Sequence, residues 1–286
     1  MRIDLHTHSS VSDGTETPEE LIAAAKRAGL DVVALTDHDS TAGWDRAAAA
    51  AQQQGIVLVR GAEFSCRQGR IAVHLLSYLQ DPDYGPIRAE LERVRASRVE
   101  RARAIVDKLA RDYPITWEQV QAQAGDAHTI GRPHIADALV ALGVVPDRTA
   151  AFEYLLSPRG PYYVRHYSPS ATGMIELVRE AGGVPVIAHP GAVGRHRIVD
   201  DDAIADMVDA GLGGIEVRHR DNPPEQRKRL AELAEHFDLF TTGSSDYHGA
   251  GKPNRLGENL TSDAALAAIE SQAFGVPVLR PVPTAR

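Results

Sequence analysis

Along residues 1 to about 80, short apolar runs alternate with stretches whose apolar residues recur at helical spacing, a pattern that predicts βα units and a largely parallel sheet. Ile3 and Leu5 begin a strand. Thr17-Pro18-Glu19-Glu20 opens a helix: Thr17 suits the N-cap, Pro18 the first helical position and Glu20 the third, a capping box ahead of Leu21-Ile22 that runs to Gly29. DVVALT at 31 to 36 reads as a buried strand. An alanine-rich helix from Trp44 to Gln54, stopped by Gly55, leads to a third strand at Ile56 to Gly61, and Ile71 to Tyr78 reads as a fourth. The rhythm returns in VPVIAHP (184 to 190), GGIEVR (213 to 218) and LFTTGSSDYH (239 to 248), with helices between them, which brings the strands to about seven.

From about residue 83 to 167 the rhythm changes. Pro86 to Arg111 reads as one long charged helix, followed by shorter helical patterns at Thr116 to Ala124, Pro133 to Leu142 and Asp147 to Leu156, with no strand among them. Asp81-Pro82 and the turn-rich Ser157-Pro158-Arg159-Gly160-Pro161 bound this stretch. The organisation expected is a barrel made of residues 1–82 and 168–286, with residues 83–167 inserted as a helical domain. Arg280 to Arg286, with Pro281 and Pro283, reads as a loose end.

Composition sets limits. The 286 residues carry 31 Lys+Arg against 39 Asp+Glu, a formal charge of −8, which argues against a protein that coats nucleic acid or membrane. There is no apolar run of transmembrane length, and MRIDLHTHSS lacks the regions of a signal peptide. The single cysteine, Cys66, rules out an internal disulfide and a zinc ribbon; a cytoplasmic location is expected. Cys66 reads as a small buried residue, since the sequence supplies no activating base.

The twelve histidines change the picture. His6 and His8, two apart on the first strand, project to one face and can share a metal ion. Asp37-His38-Asp39 follows the second strand and Glu63 the third; His74 lies on the fourth, His189 closes the fifth, Glu216 lies on the sixth, and Asp246 and His248 follow the seventh. Strand ends are where barrels gather catalytic groups. Imidazole and carboxylate donors suit Zn, Mn or Fe, and Asp13, just after the first strand, makes enough ligands for more than one ion. Asp37 reads either as an acceptor orienting a ligand imidazole or as a turn or N-cap carboxylate. Asp39 or Ser40 reads as the cap of the next helix, and Glu216 as a partner of Arg218 in preference to a support of the metal cluster. His128, His166, His196, His219 and His236 read as surface or structural. On the long helix, Arg98 and Arg101 share a face among eight basic and four acidic residues from 86 to 111. Such a stretch is either a solvated helix laced by Glu and Arg or a phosphate grip.

The strand-end motifs DLHTHSSVSDG (4 to 14), ALTDHDS (34 to 40), GAEFS (61 to 65), VHLLSY (73 to 78), AHPG (188 to 191) and GSSDYHG (243 to 249) resemble those of the polymerase-and-histidinol-phosphatase (PHP) family of metal-dependent phosphoesterases, in family order. With RVERAR (98 to 103) and GRPHIADAL (131 to 139), the chain is similar to the branch of 3',5'-nucleotide bisphosphate phosphatases and 5'-to-3' exoribonucleases. The resemblance implies an α/β fold, a distorted (β/α)7 barrel with a helical insertion, and three divalent ions, manganese first and zinc or iron as alternatives. The first would take His6, His8, Glu63 and Asp246, with Glu63 bridging to a second on His74 and His189, and Asp13, His38 and His248 holding the third. It further implies that Arg98, Arg101 and His134 contact a substrate's non-reacting 5'-phosphate. The expected reaction is removal of the 3'-phosphate from nucleoside 3',5'-bisphosphates by a metal-activated hydroxide. Exonuclease action on short 5'-phosphorylated RNA is the alternative, then histidinol-phosphate hydrolysis, then a non-enzymatic accessory role. A small nucleotide is the expected partner, with no membrane and no stable protein partner.

Overall fold

A computed structural model describes residues 1–125, 127–128, 130–192 and 198–282. Seven strands lie side by side in chain order: β1 (Ile3–Asp4), β2 (Val32–Leu35), β3 (Val57–Gln68), β4 (Ile71–Tyr78), β5 (Val184–Ala188), β6 (Gly214–Arg218) and β7 (Phe240–Gly243). Past β7 the chain returns to the segment after β1, where Thr7 bridges Tyr247 and the His8 N–H donates to the Tyr247 carbonyl at 2.8 Å. The sheet is thereby curled into a nearly closed, distorted barrel.

Four of the pairings are parallel, but β4 runs antiparallel to both β3 and β5. Only Gly69 and Arg70 separate β3 from β4, and so short a connection closes a hairpin, never a parallel crossover. Gly69 supplies the left-handed residue of that turn (φ 57°). The hairpin also extends β3 beyond the expected end at Gly61, so Glu63 lies inside the strand; β1 is conversely shorter than expected, and His6 and His8 lie just past it.

The helices begin with α1 (Pro18–Arg27) and α2 (Trp44–Gln54), then α3 (Gly85–Leu109), α4 (Trp117–Ala124), α5 (Arg132–Ala141) and the short α6 (Arg148–Ala150), which continues as a π turn through Leu155. α7 (Ala171–Glu180), α8 (Asp201–Asp209), α9 (Pro224–His236) and α10 (Asp263–Gln272) complete the set among the described residues. The capping box forms as its residues dictate: Thr17 Oγ1 accepts from the Glu20 N–H at 3.2 Å, and Glu20 Oε2 from the Thr17 N–H at 2.8 Å. Neither Asp39 nor Ser40 caps α2; Gly43 is its N-cap and makes no side-chain bond.

Period-two alternation divides the core. Val32 and Ala34 face the barrel interior with Ile3, Leu5, Val59, Leu76 and Val186, while Val33 and Leu35 pack outward against Leu21, Ile22 and Trp44 of the flanking helices. Each such buried aliphatic side chain stabilises the fold by roughly 1.5–3 kcal/mol. A second outer layer joins Phe64, Cys66 and Leu75 to α7, α8 and α9. The helical stretch between β4 and β5 has a core of its own, with Ile105, Leu109, Val120, Ile135 and Leu139 among its buried members. The C-terminal segment is pinned further than expected. Leu279 pairs with Leu58, Arg280 with Glu270, and the Val282 N–H donates to Gln52; Pro283 to Arg286 lie outside the described residues. No helix among the described residues is long and apolar enough to cross a membrane.

Candidate metal centre

The Nε2 atoms of His6 and His8 stand 3.1 Å apart, each facing Glu63 Oε2 (3.2 and 3.1 Å) and Asp246 Oδ1 (3.5 and 3.4 Å). These four donors surround a common point. Glu63 projects from the inner face of β3, where its other oxygen, Oε1, lies 2.8 Å from His74 Nδ1 and 3.2 Å from His189 Nε2. The antiparallel course of β4 explains His74: a ligand inside that strand reaches the barrel end where the parallel strands finish. His38 Nδ1 adds a contact to Glu63 Oε2 at 3.3 Å, and on the far side Asp13 Oδ1 meets His248 Nε2 at 3.2 Å, with His38 Nε2 at 4.0 Å from Oδ2.

All nine expected ligands therefore meet at one end of the barrel. They form three overlapping groups: His6, His8, Glu63 and Asp246; His38, Glu63 and His74; His8, Asp13, His38 and His248. His189 joins through Glu63. Two of these residues, His189 (φ 33°) and Asp246 (φ 53°), hold left-handed backbone, which non-glycine residues adopt at a cost of about 1–2 kcal/mol and which recurs at functional sites.

The donors suit divalent cations. Burial disfavours charge at His6 and His8, yet Glu63 and Asp246, with Glu216 beside His6, outweigh it: His6 is held well above its usual range and His8 is raised to about 9. Burial keeps His38 neutral and, with Lys252 and His8, lowers His248 to about 4; burial works against ionised Glu63, but His74, His6 and His38 hold it well below the carboxylate range. Buried imidazoles alternating with ionised carboxylates are the ligand set of zinc, manganese and iron sites, and among the described residues the buried His8 Nδ1 has no hydrogen-bond partner.

Supporting residues corrected several expectations. Glu216 does not pair with Arg218; it accepts from the His189 N–H at 2.9 Å and sits 3.1 Å from His6 Nδ1, fixing that ring as metal-site histidines require. Arg218 instead donates to the Leu260 carbonyl. Burial opposes ionisation of Glu216, but His6 and His219 hold it down to about 2. Asp37 resolves as a turn carboxylate, accepting from Ser9 N–H, Ser9 Oγ and Ser12 Oγ at 2.7–2.8 Å and so shaping the loop that carries Asp13. His219, read from sequence as structural or surface, is fully buried beside the cluster: its Nδ1 accepts from the Asp221 N–H at 3.1 Å, leaving Nε2 3.6 Å from Asp246 Oδ2. Lys252 Nζ reaches the same oxygen at 3.0 Å. Nothing in the spacing of His219 or Lys252 signals either contact. Cys66 is buried in the core and burial pushes its thiol up, consistent with a packing role.

Next to this cluster lies a group of arginines from the helical stretch. Arg101 is buried and donates to the Val164 carbonyl at 2.7 Å; burial and then Arg132 lower it to about 9. Arg132, which the sequence reading did not single out, donates to the Leu156 carbonyl. Among the described residues neither has a carboxylate partner, while Arg98 Nε lies 2.8 Å from Asp39 Oδ2. His134, at the start of α5, accepts the Gly131 N–H on Nδ1 at 3.1 Å, so its proton resides on Nε2. A buried and a half-buried guanidinium with no acidic partner among the described residues form a site for an anion. Of the remaining histidines, His128 bonds Ser40, His236 is exposed, and His196 lies outside the described residues.

A PHP domain profile matches residues 4–113. The chain is 36% identical over 254 residues to a 3',5'-nucleoside bisphosphate phosphatase of Chromobacterium violaceum, covering 88% of this chain and 89% of that protein. It is 34% identical to a 5'-3' exoribonuclease of Haemophilus influenzae, covering 91% and 94%. Among solved structures, a Bifidobacterium adolescentis protein classed as a metal-dependent phosphoesterase superposes with a TM-score of 0.93 at 45% identity, covering 95% and 96%.

Proposed function

The chain belongs to the PHP-domain family of metal-dependent phosphoesterases, and from that premise we propose that it hydrolyses the 3'-phosphate of nucleoside 3',5'-bisphosphates, adenosine 3',5'-bisphosphate first among them, to a 5'-nucleotide and phosphate. One observation carries the reading: a cluster of candidate ligand side chains for divalent ions stands beside buried Arg101 and half-buried Arg132, which among the described residues have no carboxylate partner, so there is room for two phosphates of different fate. The first group of ligands is His6, His8, Glu63 and Asp246, the second Glu63, His74 and His189, and the third Asp13, His38 and His248. Three divalent ions there, manganese first and zinc or iron as alternatives, would supply an activated water and neutralise the reacting phosphoryl group.

The chain's own groups bind and orient. Glu216 holds the His6 ring, and Asp37 holds the loop of Asp13. Arg98, Arg101 and His134, with Arg132 beside them, grip the 5'-phosphate that does not react, His134 donating from Nε2. Residues 83–167 thus act as the substrate-recognition domain on a barrel of residues 1–82 and 168–286. A reducing, cytoplasmic setting suits the buried free thiol. The Haemophilus relative favours a second activity, 5'-to-3' exonuclease action on short 5'-phosphorylated RNA, in which the same grip would hold the terminal phosphate. Histidinol phosphate would leave the grip idle.

Manganese-loaded protein assayed against adenosine 3',5'-bisphosphate, a 5'-phosphorylated oligoribonucleotide and histidinol phosphate separates these readings, with the bisphosphate expected to turn over best. Arg98→Ala should raise KM for the bisphosphate about ten- to a hundredfold, the weight of one charge-assisted hydrogen bond, and leave KM for p-nitrophenyl phosphate far less changed. Equal changes in both would overturn the grip.

A further inference from the structure

Asp39 follows the metal-site residue His38 directly, but its left-handed backbone (φ 49°) turns its side chain towards the helical domain. The carboxylate is fully buried; Oδ1 accepts from the Ser65 N–H at 2.8 Å, and Oδ2 lies 2.8 Å from Arg98 Nε. Its main chain is equally committed. The Asp39 N–H donates to the Glu63 carbonyl at 3.0 Å, and its own carbonyl accepts from Arg95 Nη1 at 3.0 Å. One residue thus joins β3, at Glu63 and Ser65, to successive turns of α3.

The rest of the Arg98 guanidinium shows what the contact accomplishes. Nη2 donates to Ser65 Oγ. Nη1 points at the start of α5, where a Cβ added at Gly131 would stand 3.4 Å away. His134 and Arg132 begin that helix. Nε is ion-paired with Asp39 Oδ2 without hydrogen-bond alignment and Nη2 is hydrogen-bonded to Ser65, so the two contacts together hold the fork before any substrate arrives, with Nη1 facing the start of α5. A carboxylate beside a phosphate site is adverse by Coulomb's law, so what it contributes there is geometry.

We propose that Asp39 is a positioning residue that presets the Arg98 guanidinium for the substrate's 5'-phosphate and ties that grip to the metal centre through the neighbouring His38. The inference rests on Arg98 contacting the 5'-phosphate. Its test uses the full chain and two readouts: the ratio of kcat/KM for adenosine 3',5'-bisphosphate over p-nitrophenyl phosphate, and the Kd of adenosine 5'-monophosphate for the metal-free protein by calorimetry. Asp39→Asn keeps the acceptor for Ser65 but sets an amide N–H against Arg98 Nε; it should lower the ratio about tenfold and weaken the monophosphate in parallel, with metal content unchanged. Arg98→Lys, which leaves the Asp39–Ser65 bond intact, should do the same and reads the pair even if the Asp39 variant folds poorly. On an Arg98→Ala background, Asp39→Asn should add nothing. Independent, additive losses, or loss of metal in Asp39→Asn, would overturn the positioning role while Arg98→Ala still showed a grip. An unaltered ratio in Arg98→Ala would overturn the grip itself, and the positioning role with it.

Discussion

At the scale of single residues the arginine group has a measurable consequence. Burial, followed by the charges of Arg98, Arg101 and Arg132, lowers His166 to about 3, so this imidazole stays neutral where a free histidine would titrate near 6.5. The folded chain refuses a proton that the unfolded chain accepts, and His166 therefore removes stability as pH falls below about 6.5 towards 3. In an NMR titration its ring resonances should not move between pH 5 and 8, and His166→Asn should flatten the acid-side loss of melting temperature. A midpoint near 6.5 would place His166 away from the three guanidiniums. Neither His166 nor Arg132 was legible in the sequence, because each owes its role to partners far away along the chain. The ligand candidates at strand ends were legible, since those ends converge by the geometry of a barrel whatever lies between them, whereas His74, inside antiparallel β4, was given by the family resemblance. Glu216 was misread for the same reason as His166: Arg218 is near in sequence, whereas His6 is near only once the barrel closes.

At the scale of elements, the strands and long helices followed from alternation and capping, while direction and length depended on pairing. β3 was read short because the hydrophobic run pauses at Gly61, yet the hairpin with β4 sustains it to Gln68. A further joint between elements is Arg148, at the start of α6. Its Nη2 meets Asp137 Oδ2 of α5 at 2.6 Å, its Nη1 donates to the Asp13 carbonyl at 3.3 Å, and a Cβ at Gly251 would collide with that same nitrogen. The side chain thus bridges the helical stretch between β4 and β5 to the two loops that carry Asp13 and His248. Arg148→Ala leaves Asp137 half-buried without its partner and should cost about 1–3 kcal/mol in stability. It should also weaken binding of an ion at Asp13, His38 and His248 more than binding of one at His6, His8, Glu63 and Asp246. Stepwise manganese titration followed by mass spectrometry under native conditions distinguishes these; uniform weakening of every ion would assign Arg148 a purely structural role.

For the molecule as a whole, the charge of −8 is unevenly spread: residues 83–167 carry 12 Lys+Arg against 11 Asp+Glu, net +1, leaving −9 for the remaining residues. Part of that excess is gathered in the ligand cluster, and without metal it is offset by protons on His6 and His8. The sign of the resulting pH dependence can be worked out. An imidazole held above 6.5 in the fold contributes stability that is complete below 6.5 and is lost as pH rises, for His8 through about 9. His38 and His248, held below 6.5, remove stability as pH falls under that value, and Asp13 and Glu63, held well below their usual range, lose their contribution in strong acid. The metal-free protein should accordingly show its highest melting temperature near pH 6.5 and decline towards pH 9. Metal binding needs neutral rings, so loading at pH 7.5 should expel protons, on the order of two for His6 and His8 together, and bind more tightly as pH rises. Calorimetric titration of manganese in two buffers of different ionisation enthalpy reads that number directly. Identical heats in both would mean that the metal-free cluster holds no such protons, and that its carboxylates are balanced by Lys252 and the neighbouring arginines instead.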